Sequence, residues 1–140
     1  MTTVEQRFWD KVGHHSDPDA CWIWLAGTIK SDKLRYGQIN IEHRCVLAHR
    51  FAYELLIGPI PKGLTLDHLC RNTLCVNPKH SEPVTRRVNT LRGNGALALN
   101  ARKTHCNKGH PFDNTNTYAQ KRRGKVIGRG CRECAKAARS

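Results

Sequence analysis

The chain has 140 residues and a mass of 15.9 kDa, enough for one ordinary domain or a small domain with an accessory module. Only 39% of residues are apolar and 6% aromatic, so the core is thin and cross-linking by metal or disulfide is expected. Lys and Arg number 24 against 11 Asp and Glu, a formal +13 that favours polyanionic partners; no run nears the roughly 18 apolar residues of a spanning helix, and Met1 to Asp10 lacks a signal-like apolar stretch, so a cytoplasmic protein without membrane partners is expected.

In chain order, Val4 to Val12 reads as a helix capped by Thr3, with Phe8, Trp9 and Val12 on one face and Gly13 ending it. Cys21 to Leu25 reads as a buried strand, with Trp22 and Trp24 in the core. Tyr36 to Ile41 alternates and reads as its hairpin partner. Val46 to Ile57 has Leu47, Phe51 and Leu55, with Ala48 and Ala52, at helical spacing. Gly58 to Gly63 is a turn-rich connector. Leu64 to His68 is a short strand, and Glu82 to Val84 a second one limited by Pro83. Thr85 then caps a helix through Leu91 or Arg92, stopped by Gly93. The fold class is α+β.

The charge divides the chain. Residues 1–100 hold 13 Lys/Arg and 9 Asp/Glu, whereas residues 101–140 hold 11 and 2. Gly93 to Ala101 has few bulky anchors. The organisation expected is a larger domain at 1–93, a linker at 94–103 and a basic module at 104–140.

Seven cysteines is an odd number, and a reducing compartment disfavours disulfides, so metal is the first explanation to test. Cys131 to Cys134 is a CxxC knuckle. Cys106 to His110 is a second turn, with Gly109 allowing tight reversal. Cys106, His110, Cys131 and Cys134 can close one tetrahedral Cys3His zinc site, as the module has few apolar residues with which to fold otherwise. His105 falls out of register and reads as a surface or nucleic-acid contact. A second set, Cys70, Cys75 and His80, lies within eleven residues and needs a fourth ligand from Cys21 or Cys45. With Cys21 the tally gives two Cys3His sites, and Cys45 becomes a small buried hydrophobe. Ordinary core cysteines without zinc are the alternative for this second set.

Asp67-His68 ends a strand just before the cysteine loop, and Asn89 lies one turn into the following helix. Oxygen ligands such as Asp67 and Asn89 suit Mg2+ or Mn2+, and a neutral His68 off the metal can take a proton from water. These parts match metal-assisted phosphodiester hydrolysis. His49 can sit near such a site or simply be hydrogen-bonded within the domain, which is the commoner case. His14, His15 and His43 read as surface residues.

Several segments together resemble the phage-type HNH endonucleases: Cys21-Trp22-Ile23-Trp24, Ala48-His49-Arg50, Gly58-Pro59-Ile60-Pro61, Leu66-Asp67-His68-Leu69-Cys70, Cys75-Val76-Asn77-Pro78-Lys79-His80, and Glu82-Pro83-Val84-Thr85 with Asn89. The similarity runs from about Phe8 to Arg92, and the tail resembles the zinc-ribbon-like module appended to many of them. The resemblance implies a small ββα-metal core with an N-terminal hairpin and helices. In it Asp67 would be a metal ligand, His68 the general base and Asn89 a second metal ligand. The middle letter of the motif falls on His80, or in another register on Asn77, which would brace the loop. It implies a metal-dependent endonuclease leaving 5′-phosphate and 3′-hydroxyl ends. One base and one metal per site imply nicking by a monomer, in the host cytoplasm if phage-encoded, with phage packaging proteins as possible partners.

Lys121, Arg122, Arg123, Lys125 and Arg129 mark the tail as a phosphate-binding surface for double-stranded DNA. The competing reading is a non-catalytic zinc-dependent nucleic-acid-binding protein, which would need none of Asp67, His68 and Asn89.

Overall fold

The computed structural model describes residues 2–13, 16–31 and 34–139. The chain divides into two compact units, Met1–Asn89 and Thr90–Ser140. His14 and His15 lie outside the described residues.

In the first unit Thr3 forms a capping box with Gln6 at the start of α1 (Val4–Trp9). This helix is shorter than the apolar spacing predicts. Val12–Gly13 is a strand, β1, paired with β2 (Ile23–Trp24) in the register Val12↔Trp24. The predicted hairpin partner of β2 is therefore wrong. The alternating segment belongs to β4 (Leu34–Ile41), which lies between β3 (Thr28–Ser31) and β5 (Arg44–Leu47) in a separate three-stranded sheet. Glu42 and His43, at φ 45° and 65°, make the tight turn from β4 to β5. His43 is exposed there, as expected.

The next helix, α2, runs Ala48–Leu56. Val46 and Leu47, expected to open it, instead extend β5 opposite Ile39 and Gln38. Local apolar spacing could not separate the two states, and the cross-strand partner decided between them. Phe8, Val12, Trp24, Ile39, Ala48, Ala52 and Val76 form the buried core, with Trp22 packed against it. The Phe8 ring lies 5.1 Å from Phe51 and 5.5 Å from Trp24. Gly37 lets β4 approach Trp24, since a Cβ there would stand 2.6 Å from the indole.

The end of this unit is a ββα arrangement. The antiparallel strands β6 (Thr65–His68) and β7 (Ser81–Val84) are followed by α3 (Arg86–Arg92), where Val88 N donates to Thr85 Oγ1. Pro83 sits on a two-stranded sheet, where a missing N–H is tolerated. The β6–β7 connection holds the cysteine loop and a 3-10 turn, Pro78–His80.

In the second unit the stretch expected to be a bare linker carries α4 (Ala96–Arg102), whose Ala98 is buried. A long hairpin follows, β8 (Thr117–Arg122) with β9 (Lys125–Cys131), then α5 (Arg132–Ala137). The hairpin turn is Arg123-Gly124, both at positive φ, the two-residue geometry whose twist matches the strands. Among the described residues no helix is long and apolar enough to cross a membrane.

Candidate functional site

The second strand creates the first metal cluster. Trp24 N donates to Leu74 O at 2.9 Å and Val76 N to Trp22 O at 2.8 Å, so β2 runs antiparallel to the cysteine loop with Ile23 opposite Cys75. That pairing carries Cys21 to the loop. The ligand atoms of Cys21, Cys70, Cys75 and His80 all lie within 4.8 Å of one another. The Cys21 and Cys75 sulfurs stand 3.5 and 3.6 Å from His80 Nδ1. A tetrahedral zinc with Zn–S near 2.3 Å and Zn–N near 2.05 Å separates its ligands by about 3.55 Å for S···N and about 3.75 Å for S···S. The donor set fits zinc. Burial and the neighbouring Cys70 and Cys21 push the Cys75 thiol up to about 12, the environment in which thiolates need a cation. Cys45 takes no part. It is exposed, with Sγ 3.0 Å from Gln38 Oε1, so its expected burial is wrong: its position on β5 turns it to solvent.

Asn77 braces this cluster. Its side chain is fully buried; Nδ2 donates to the carbonyls of Pro18 and Ala20 at 3.0 and 2.7 Å, and Oδ1 accepts from Lys79 N at 3.0 Å. The two registers considered for the motif are therefore both occupied: His80 in the metal cluster, Asn77 as the tie between the two chain segments that supply it.

The second cluster has the same construction. Cys106, His110, Cys131 and Cys134 converge, with His110 Nδ1 at 3.5, 3.6 and 3.4 Å from the three sulfurs and the sulfurs of Cys106 and Cys134 at 3.6 Å. Gly109 supplies the φ of 84° in the first knuckle. Backbone N–H groups of Lys108 and Cys134 point at the sulfurs of Cys106 and Cys131. Burial and the adjacent thiols push Cys134 up to about 11. Asn116, which sequence reasoning missed, is buried here. It donates to Pro111 O and Cys131 Sγ at 2.6 and 3.3 Å, and accepts from Glu133 N at 3.0 Å. His105 is exposed outside the cluster.

Asp67 and His68 are both buried at the end of β6. His68 Nε2 lies 3.2 Å from the carbonyl oxygen of Cys75. A carbonyl only accepts, so Nε2 carries the hydrogen and the lone pair of the neutral ring is on Nδ1. Burial lowers the His68 pKa; the Cys75 carbonyl and Asp67 act the other way, and Arg71 adds to the lowering. Asp67 Oδ1 accepts a 2.7 Å ion pair from Arg71, a residue at φ 59° that no spacing argument singled out. On the paired strand Glu82 faces Asp67 across the register.

Two further side chains surround the imidazole. His49, on the first turn of α2, meets His68 edge to face at 4.6 Å between centroids, and Tyr36 lies 5.7 and 6.1 Å from His49 and His68. His49 is buried, and its Nδ1 has no hydrogen-bond partner among the described residues. Burial, then His68 and Arg50, push its pKa down to about 3, so it is neutral. The commoner expectation for His49, an internally hydrogen-bonded histidine, does not describe it. Asn89 is half-buried on α3, its N–H bonded to Thr85 O, and is the last residue of the first unit.

In the basic tail Lys121, Arg122, Arg123 and Lys125 are exposed on the hairpin. Arg129 is spent internally. Its guanidinium donates to the carbonyls of Asn100, Ala101 and Lys103 at the end of α4 and lies over the Phe112 ring at 4.3 Å.

The ββα unit thus carries a buried Asp-His pair on its first strand, beside a Cys3His cluster that joins the β6–β7 connection to Cys21. The HNH endonuclease family pattern matches residues 46–91, which takes in α2, β6, β7 and most of α3. The chain is 34% identical over 86 residues to the uncharacterized gene 5.3 protein of Enterobacteria phage T3, covering 57% of this chain and 83% of that one. It belongs to the HNH endonuclease family. It is also 35% identical over 60 residues to protein 7.7 and 29% over 101 residues to protein 2.8, both of Escherichia phage T7. Those matches take in 43% and 71% of this chain but only 44% and 62% of the relatives' own lengths. No solved structure matches the chain.

Proposed function

We propose that this protein is a DNA endonuclease that nicks duplex DNA, with His68 as general base and a divalent ion, Mg2+ or Mn2+, held by Asp67 and Asn89. The observation that carries the reading is the bond between His68 Nε2 and the Cys75 carbonyl, which fixes a buried neutral imidazole in the tautomer with Nδ1 free to accept a proton. Asp67, beside it on the same strand, offers the hard oxygen such an ion takes. When bound, the ion supplies charge stabilisation at the phosphate oxygens. His68 removes the proton from the attacking water, and His49 and Tyr36 hold the plane of its ring. One base per chain serves one strand, so a monomer nicks. The two Cys3His clusters hold zinc and keep the loop and the tail in shape. The exposed hairpin cations Lys121, Arg122, Arg123 and Lys125 bind duplex DNA.

Supercoiled plasmid incubated with Mg2+ or Mn2+ should convert to nicked circles, and a chelator should stop it. His68→Ala should lose nicking while keeping DNA affinity. Undiminished nicking by that variant would remove His68 from the role.

A further inference from the structure

The β8–β9 hairpin has two unlike faces. The register pairs Lys121 with Val126, Ala119 with Arg129 and Thr117 with Cys131, so these side chains share one face. Its root is closed by Cys131 in the metal cluster and by Arg129, which is tied to α4 and to Phe112. The opposite face carries Tyr118, Gln120 and Arg122, paired with Gly130, Gly128 and Lys125. Glycine at two of three partner positions leaves Tyr118 and Gln120 without a cross-strand side chain. The Tyr118 ring lies directly on Gly130, where a Cβ would stand 2.4 Å from it, and the Arg132 guanidinium lies 5.8 Å from its centre; a Cβ on Gly128 would stand 3.7 Å from Gln120 Oε1. Gln120, Arg122, Lys125 and Gly128 are all exposed. The bulged residue between Val126 and Gly128 is Ile127, 62% exposed, and the bulge adds twist to the ribbon.

We propose that this hairpin enters the major groove of duplex DNA with the Tyr118–Gln120–Arg122 face toward the base edges, while Lys121 and Arg123 at its margins contact phosphate. The inference rests on the reading that the basic unit binds DNA, and adds where it binds and that it reads sequence. Charge complementarity selects the occupant. No acidic residue lies between Asp113 and Glu133, and four cations stand within the five residues from Lys121 to Lys125. None of their four side chains makes a hydrogen bond or ion pair to the described residues. Dimensions select the groove. Strands about 4.8 Å apart, with side chains, fill a groove about 12 Å wide but not the minor groove of about 6 Å. The six residues of β8 extend about 20 Å, enough to reach the groove floor from the zinc-held base. The chemistry of the face suits bases: a glutamine amide can pair with adenine, and an arginine or lysine with guanine.

The test uses the full chain and fluorescence anisotropy at fixed salt. One duplex is unmodified. A second has the same sequence with glucosylated 5-hydroxymethylcytosine, which fills the major groove. A third is double-stranded RNA, whose major groove is too narrow. Affinity should fall about tenfold or more on the second and third, and a minor-groove ligand such as netropsin should not displace the protein. In selections from a random duplex pool, Gln120→Ala and Arg122→Ala should flatten the base preference. Lys121→Ala should weaken binding to all sequences alike. Equal affinity for plain and glucosylated duplex, displacement by netropsin, or an unchanged preference in both face variants would overturn the groove assignment with DNA binding intact. Failure to bind the plain duplex at all would instead overturn the DNA-binding reading and the inference with it.

Discussion

Replacing Asn77 with alanine tests how the first metal cluster is assembled. The side chain is fully buried and makes three hydrogen bonds, two as donor to Pro18 and Ala20 and one as acceptor from Lys79. At a net ~1 kcal/mol each the three bonds are worth about 3 kcal/mol. Pro18 is exposed, so water can recover its carbonyl, and the expected loss is about 2–3 kcal/mol. For a domain of this size that is a fall in Tm of roughly 10–20 °C. The nearby Lys79–Asp19 ion pair joins the same two segments, but its side chains are 58% and 84% exposed. Asp19→Ala should therefore cost less than about 1 kcal/mol. Because Asn77 ties the segment before Cys21 to the turn bearing His80, zinc affinity should drop roughly 10- to 100-fold in Asn77→Ala. Urea unfolding at fixed zinc and competition with a chromophoric chelator measure the two effects. A loss below about 1 kcal/mol together with unchanged zinc affinity would refute the reasoning.

Other substitutions reach the remaining parts. Cys131→Ser should lower bound zinc from about two per chain to about one by elemental analysis, and reduce DNA affinity while the nuclease unit stays folded. Gly37→Ala would place a Cβ 2.6 Å from the Trp24 ring and 3.1 Å from Ala48 Cβ, and should destabilise the first unit by about 1–3 kcal/mol in chemical unfolding. His49→Ala should lower kcat for nicking by up to about 100-fold with little change in KM, because the His68 ring loses its edge contact. His49→Phe should recover much of that rate if ring packing is what His49 supplies, and none of it if the nitrogen is needed.

What could be read in advance follows from how local each signal is. The Cys106–His110 and Cys131–Cys134 turns declare themselves by spacing, and the ββα order was visible because β6, the loop, β7 and α3 are consecutive. The error over β2 came from long-range pairing: β4 finds its partners in β3 and β5, whereas β2 pairs with β1 and the cysteine loop. That pairing also separates Cys21 from Cys45, a choice that residue spacing left open. The buried tie made by Asn116 and the ion pair from Arg71 to Asp67 depend on side-chain direction, which a linear pattern does not record. The helix at Ala96–Arg102 was hidden because its apolar residues are small or exposed.

Cys75 serves two masters. Its sulfur belongs to the thiol-histidine cluster, while its carbonyl oxygen is the group that orients the His68 ring. Whatever loosens the cluster, whether oxidant, chelator or zinc scarcity in the cell, also frees that oxygen and lets the imidazole turn. On the proposed mechanism, nicking would then be lost through the His68 tautomer even with the divalent ion in excess.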